Sequence, residues 1–279
     1  MPELPEVRVH AERLGDRYGG CTLSGFEALS FTALKTAGPS PDLALGRRLG
    51  GVDTRGKYLL LHFGTVTFVV HLMQGGRLKP DTKPRARPRG GLARWRFEET
   101  DPLLLTEAGT EKRAGVWVVA DEGTDADVFA GLGPEADRVA RDGLDTILDD
   151  AGGARLHGVL RDQRRLAGLG RRLANEICWT ARLSPFAPAA KLDGAQRLAL
   201  LDAIATTVTE SISDERSRTE MVASAQRLAH VHHRTGQTCE RCGDQIREVS
   251  YHAYDVNYCA TCQTGGKVLA DNTTSKFLK

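Results

Sequence analysis

Two CxxC pairs, Cys239-Glu-Arg-Cys242 and Cys259-Ala-Thr-Cys262, stand 16 residues apart near the C-terminal end of the chain. Four thiolates at this spacing suit a tetrahedral zinc ion, each pair sitting on a tight knuckle. The intervening residues 246–258, Ile-Arg-Glu-Val-Ser-Tyr and then His-Ala-Tyr-Asp-Val-Asn-Tyr, read as a short β-hairpin. Two disulfides, or four unrelated thiols, are the competing readings. The sequence carries no signal peptide and no apolar stretch long enough to span a membrane, which predicts a reduced, cytoplasmic setting and one structural zinc ion. Such a site staples a fold and reports no activity.

Chemistry is announced at the other end, by Met1-Pro-Glu-Leu-Pro-Glu-Val7. A small second residue lets the initiator methionine be removed, leaving Pro2 as a free secondary amine. That amine condenses with an aldehyde to an iminium with a permanent positive charge, an electron sink for covalent catalysis. Glu3 and Glu6 lie beside it as candidate acid/base groups. A stiff N-terminus without chemistry is the bland alternative.

The 279 residues suffice for two domains with their own cores, and neither the hydrophobic content of 41% nor the charged content of 27% departs from a globular protein. The net charge of +2 is unevenly spread: residues 1–150 hold 20 Lys and Arg against 23 Asp and Glu, and residues 151–279 hold 18 against 13. A basic C-terminal half fits a polyanionic partner. Cys21 and Cys178, outside the cluster, read as buried small hydrophobes.

Residues 1–130 read mainly as β after one helix from Glu6 to Tyr18. Residues 57–63 and 65–71, flanking Gly64, form a hairpin signal, and Leu92–Phe97 and Gly115–Ala120 add strands. The basic, proline-punctuated segment Lys79–Arg89 is expected to be an extended, mobile loop. Gly131-Leu-Gly-Pro-Glu135 marks a break, followed by an acidic linker to about Gly153. The period then becomes helical, with Leu173, Ile177 and Ala181 four apart, and Leu201, Ile204 and Val208 at three and four.

Between these halves, residues 160–176 read as a helix, a turn containing Gly168 and Gly170, and a second helix from Arg171. Glycines allow close approach to a ligand, and a helix N-terminus is a phosphate seat. Arg164, Arg165, Arg171 and Arg172 surround the turn. A helical hairpin with a solvated arginine face is the alternative.

The PELPEV start, Arg55-Gly-Lys57-Tyr, Gly131-Leu-Gly-Pro-Glu135, the DQ-x-x-x-AG-x-G run of residues 162–170 and the terminal cysteine hairpin occur in that order. Together they resemble the formamidopyrimidine-DNA glycosylase/endonuclease VIII family over residues 1 to about 263. The resemblance implies an α+β multidomain fold. Its parts are a catalytic β-sandwich with an N-terminal helix (1–130), a linker (131–153), a helix–two-turn–helix DNA-binding domain (154–230), a zinc finger (231–265) and a flexible tail (266–279). It also implies damaged or abasic double-stranded DNA as partner, held between domains, and a monomer in the cytoplasm (nucleoid-associated in a bacterium).

By the same resemblance Pro2 attacks C1′ of the damaged nucleotide, Glu3 protonates the sugar ring oxygen and Lys57 holds a phosphate, while Glu6 stays a candidate catalytic acid/base group. The target nucleotide is extruded from the stack, at a cost of about a few kcal/mol. The turn Gly168–Arg172 would contact DNA, as would Lys112 and Arg113. Cys239, Cys242, Cys259 and Cys262 would hold zinc. Four positions depart from the family pattern. The asparagine expected after the Gly-x-Gly turn is Arg171, and the hairpin arginine that meets the lesion phosphate is matched by Tyr254. The residues that fill the void left by the flipped base, a methionine and a phenylalanine, are matched by Gln74 and Ala114. The glycine- and threonine-rich lesion-capping loop is missing, and residues 210–236 read as helical and polar. Its loss weakens the case for 8-oxoguanine and leaves oxidised pyrimidines, ring-opened purines, abasic sites or bulky adducts as substrates.

A bifunctional glycosylase/AP lyase follows from the retained Pro2, Glu3, Glu6 and Lys57. A paralogue that binds abasic or distorted DNA and cleaves poorly follows from the altered wedge and clamp. A zinc-ribbon interaction protein unrelated to repair leaves the N-terminus without a role.

Overall fold

A computed structural model describes residues 1–109, 111–120, 127–251 and 254–269. The chain divides into two compact units, Met1–Gly131 and Leu132–Lys279.

The first unit opens with α1 (Leu4–Tyr18), whose buried positions Leu4, Val7, Ala11, Leu14 and Tyr18 recur at three and four and form one apolar stripe. Pro5 sits in its first turn, where a missing N–H costs nothing. Glu3 and Glu6 cap one another reciprocally, which starts the helix two residues earlier than the expected Glu6. The strands that follow are β1 (Leu23–Ala28), β2 (Gly51–Arg55), β3 (Tyr58–Phe63), β4 (Val66–His71), β5 (Gly76–Pro80), β6 (Gly91–Phe97), β7 (Leu103–Glu107) and β8 (Gly115–Ala120). They form two antiparallel sheets, ordered β1-β6-β7-β5 and β2-β3-β4-β8. This is a β-sandwich, closed by aromatic contacts between the sheets: Phe68 of β4 lies 5.0 Å from Phe26 of β1 and 5.8 Å from Trp95 of β6. Helix α1 packs on β2 and β3.

Both hairpin turns of the second sheet are two residues long. Gly56 (φ +58) begins the β2–β3 turn and Gly64 (φ +67) the β3–β4 turn, the conformation that tight hairpins demand and that glycine adopts without strain.

The basic segment expected to be mobile is anchored. Arg94 of β6 is 1% exposed and donates from Nε to Asp81 Oδ2 (3.0 Å), from Nη1 to Glu27 Oε2 (3.2 Å) and from Nη2 to the Arg85 carbonyl (2.6 Å). A buried guanidinium needs such partners, and meeting that need pins the loop.

The second unit contains α2 (Arg141–Asp149), α3 (Leu156–Arg161), α4 (Arg171–Thr180), α5 (Gly194–Arg216), the hairpin β9 (Ile246–Tyr251) and β10 (Tyr254–Cys259), and a short α6 (Ala260–Thr264). Three expectations are corrected. The presumed linker 131–153 contains α2, whose Leu144 and Leu148 are buried and which packs on α5. Residues 210–236 are helical only to Arg216 and then irregular, apart from one turn at Ser224–Gln226. The tail begins attached, because the Leu269 amide donates to the Tyr258 hydroxyl (2.8 Å). Residues 270–279 of the expected flexible tail, and 252–253 of the hairpin, lie outside the described residues. Cys178 is buried as expected, whereas Cys21 is half-buried.

Candidate active site and metal centre

In the first unit the N-terminal cap of α1 is made by the two candidate acid/base residues. Pro2 is buried. Glu3 is 4% exposed and Glu6 1%, and the Glu3 amide donates to Glu6 Oε2 at 2.7 Å. This hydrogen bond fixes the carboxylate of Glu6 and the backbone that carries Pro2. Lys57 is the second residue of the β2–β3 turn and is 6% exposed, at the tip of a hairpin whose first strand supports α1.

The Lys57 cation acts on a neighbour. His71, at the end of β4, is buried and pushed down from 6.5 to about 4, mainly by burial and further by Lys57. Its Nδ1 accepts the Met73 amide at 2.9 Å, so that nitrogen carries no proton. This bond shapes the following loop. Met73 adopts φ +50, uncommon for any residue but glycine, and Gln74 is exposed beside it. Nothing in the sequence reading singled out Met73, although it directly follows the His71-Leu72 pair. Ala114, matched by the resemblance to the family's phenylalanine, is 1% exposed, and its amide donates to Glu107 Oε2 at 2.8 Å. Arg113 is exposed and pairs with Glu111 (2.6 Å), and Lys112 is half-buried.

His10 of α1 is also pushed to about 4, mainly by burial, with Arg13, Lys79 and Arg77 adding repulsion against a partly offsetting hydrogen bond to the Leu78 backbone. Both histidines have folded-state values below the ordinary one, so the unfolded chain binds protons first as pH falls. Their contribution to stability is complete above pH 6.5 and is lost as pH approaches 4, on the order of 3 kcal/mol each. Denaturation midpoints should drop between pH 7 and 4.5, and His10→Gln should flatten that drop. Midpoints that rise over this interval contradict the assignment.

In the second unit the four cysteine Sγ atoms lie within 4.8 Å of one another, Cys239 to Cys262 at 3.9 Å and Cys242 to Cys259 at 3.4 Å. A regular tetrahedron of thiolates with metal–sulfur bonds of about 2.3 Å has sulfur–sulfur edges of about 3.8 Å, so the set fits one metal ion. Four thiolates close the coordination sphere and leave no position for a catalytic water. The Trp179 indole N–H donates to Cys239 Sγ (3.5 Å), tying the cluster to α4.

Helix α4 is joined to this cluster by buried polar side chains that sequence reasoning missed. Glu176 accepts the amides of His230 (2.6 Å), Val231 (3.1 Å) and His232 (2.8 Å). Asn175 meets His232 Nδ1 (3.0 Å) and Asn257 Oδ1 (3.4 Å). Nothing local in the sequence marks them, because their partners lie far along the chain.

The glycine turn forms as expected, with Gly168 at φ +97 and Gly170 as the residue before α4. Gln163 laces it: Nε2 donates to the carbonyls of Arg161 (2.9 Å) and Leu169 (2.6 Å), and Oε1 accepts the Gly168 amide (3.0 Å). The expected arginine ring divides. Arg171 is exposed, whereas Arg172 is 1% exposed and donates to Ser211 Oγ (3.2 Å) and the Leu228 carbonyl (3.1 Å), so it serves the core. Arg164 and Arg165 both pair with Asp162. Tyr254, at the start of β10, stacks between His157 of α3 and Tyr251 of β9.

A family model for the formamidopyrimidine-DNA glycosylase N-terminal domain matches residues 1–112. A formamidopyrimidine-DNA glycosylase of Chloroflexus aurantiacus is 30% identical over 281 residues, covering 94% of this chain and 98% of that protein. The chain belongs to the formamidopyrimidine-DNA glycosylase family. Members of this family are DNA glycosylases of base excision repair. The crystal structure of the MutM (Fpg) protein from Thermus thermophilus superposes with a TM-score of 0.80 at 28% identity, over 94% of this chain and 99% of that one. The fold is shared as well with Lactococcus lactis Fpg in a complex with abasic-site DNA, at a TM-score of 0.82, 21% identity and the same coverage. The chain thus has an Fpg/MutM-like fold, with an N-terminal β-sandwich, a helical domain and a C-terminal cysteine cluster on a β-hairpin.

Proposed function

We propose that this glycosylase-family protein is a bifunctional DNA glycosylase/AP lyase acting on damaged double-stranded DNA through an N-terminal proline iminium. The observation that carries the reading is the reciprocal cap of Glu3 and Glu6 next to a buried Pro2, with the buried Lys57 in the turn between β2 and β3. Once Met1 is removed, the Pro2 nitrogen attacks C1′ of the damaged nucleotide. Glu3 protonates the ring oxygen as the sugar opens, and the base departs. The resulting iminium draws electrons from C2′, a proton leaves that carbon, and the 3′ phosphate is expelled in β-elimination. A δ-elimination can expel the 5′ phosphate in turn. Lys57 would hold a backbone phosphate, and the Gly168–Arg171 turn with α4 behind it would seat another. Zinc is the proposed ion of the four-cysteine centre, with a structural role only; metal analysis should return about one zinc per chain, and another metal in its place would refute the assignment.

The decisive assay presents end-labelled duplexes carrying an abasic site, an oxidised pyrimidine or a ring-opened purine. Base release followed by strand cleavage on at least one base lesion is the expected result. Cleavage of abasic DNA alone would favour a lyase without base excision. Binding without any cleavage would favour the non-catalytic paralogue, the reading that the buried Ala114 at a wedge position supports. Action in the cytoplasm as a monomer completes the proposal.

A further inference from the structure

We infer that Arg161 is a phosphate-contact residue, aimed by stacking on Tyr254; this rests on the DNA-binding reading above. His157 and Arg161 stand four apart on α3 and therefore share a helix face. The ring of Tyr254 meets both of them. Its centroid lies 5.9 Å from the His157 ring, at 13° between planes, and 3.7 Å from the Arg161 guanidinium carbon. Tyr251, its cross-strand partner, stacks on it at 4.9 Å and 15°. The hairpin thus presents an aromatic pile to α3, with a guanidinium lying against it.

Three observations point to an anion as the missing partner. Among the described residues no carboxylate pairs with Arg161, although Arg164 and Arg165 nearby both find Asp162. Arg161 as a residue is half-buried, which limits how far solvent relieves its charge. Stacking also engages the face of the group and leaves its N–H edges available, the geometry that bidentate phosphate binding uses. The cation–π contact replaces a counter-ion as the device that holds the side chain.

Its location fits the same ligand. The Gln163 amide nitrogen donates to both the Arg161 and the Leu169 carbonyls, at 2.9 and 2.6 Å, so the end of α3 lies against the glycine turn that precedes α4. The positive end of the α4 dipole and the Arg161 cation therefore serve one neighbourhood. The tyrosine at position 254 is then a positioning residue. It supplies the hairpin's cation indirectly, through an arginine on a different element.

The test is an anisotropy titration of a duplex carrying a tetrahydrofuran abasic analogue, repeated across salt concentrations. Arg161→Gln should weaken binding about tenfold or more and lower the slope of log Kobs against log salt by about 0.9, one phosphate contact. Tyr254→Phe keeps the stack and should match the wild type in both. Tyr254→Leu should lose part of the affinity and part of the slope, at unchanged metal content. A purely structural role for Arg161 would lower affinity without changing the slope, and that result, or wild-type binding by Arg161→Gln, overturns the inference. Should Arg161→Gln fail to fold, Tyr254→Leu and Arg161→Lys, which keeps the charge and loses the planar fork, read the same slope. If the wild-type protein binds no DNA, the proposed function fails and this inference with it; if it binds normally and only the Arg161 result fails, the function stands.

Discussion

Retaining Met1, or fusing a tag before it, is expected to reduce strand cleavage at an abasic site by roughly a thousandfold or more, about 4 kcal/mol of transition-state stabilisation. The cause is electronic. With a residue before it, the Pro2 nitrogen belongs to a tertiary amide whose lone pair is delocalised into the carbonyl, and it cannot form an iminium. The residues proposed to seat phosphates in the second unit are untouched, so affinity for an abasic-analogue duplex should stay near normal. Glu3→Gln separates the two steps of the reaction. It removes the acid for base excision and leaves the amine, so cleavage of a preformed abasic site should survive better than excision of a damaged base. A tagged protein that cuts abasic DNA at the untagged rate would move the nucleophile to a lysine, with Lys57 the first candidate.

Glu176→Ala is expected to destabilise the second unit by about 3 kcal/mol or more. The carboxylate is 2% exposed and accepts three consecutive backbone amides, those of His230, Val231 and His232. Its removal strands three donors in a buried setting, where each unsatisfied group costs about 1–3 kcal/mol. The loop concerned runs into Cys239, so the metal should be held less tightly as well. Glu176→Gln should cost less, because one side-chain oxygen can still accept from Val231 and His232, which share Oε1. Urea denaturation with metal quantified in parallel measures both effects. A Glu176→Ala protein within about 1 kcal/mol of the wild type, with full metal content, would show that the staple is dispensable.

What the sequence made legible was local. The two CxxC pairs, the Gly64 turn between alternating β-branched runs and the glycine turn before α4 each encode their geometry within a few residues, and the structure shows them. Strand β1 escaped because Leu23–Ala28 has little β signature and is stabilised by pairing with β6, about seventy residues further on. Helix α2 was hidden by its acidic character, since only Leu144 and Leu148 mark its buried side. The fate of the arginines was illegible for the same reason. Arg172 is drawn into the core by Ser211 and Leu228, 39 and 56 residues away, whereas Arg171 beside it stays exposed. Nothing local in the sequence distinguishes Arg161; its stacking partner Tyr254 lies 93 residues further along the chain. Spacing identifies which residue types share a motif; only tertiary packing decides which of them remain available to a ligand.

Borohydride trapping measures the central claim directly, because hydride reduces an iminium to a stable amine and freezes the enzyme on its substrate. Incubation of the protein, its N-terminus at Pro2 confirmed by mass spectrometry, with abasic duplex and borohydride should give a covalent complex whose cross-link maps to residue 2. An adduct on a lysine, or strand cleavage with no adduct at all, would contradict the proline mechanism.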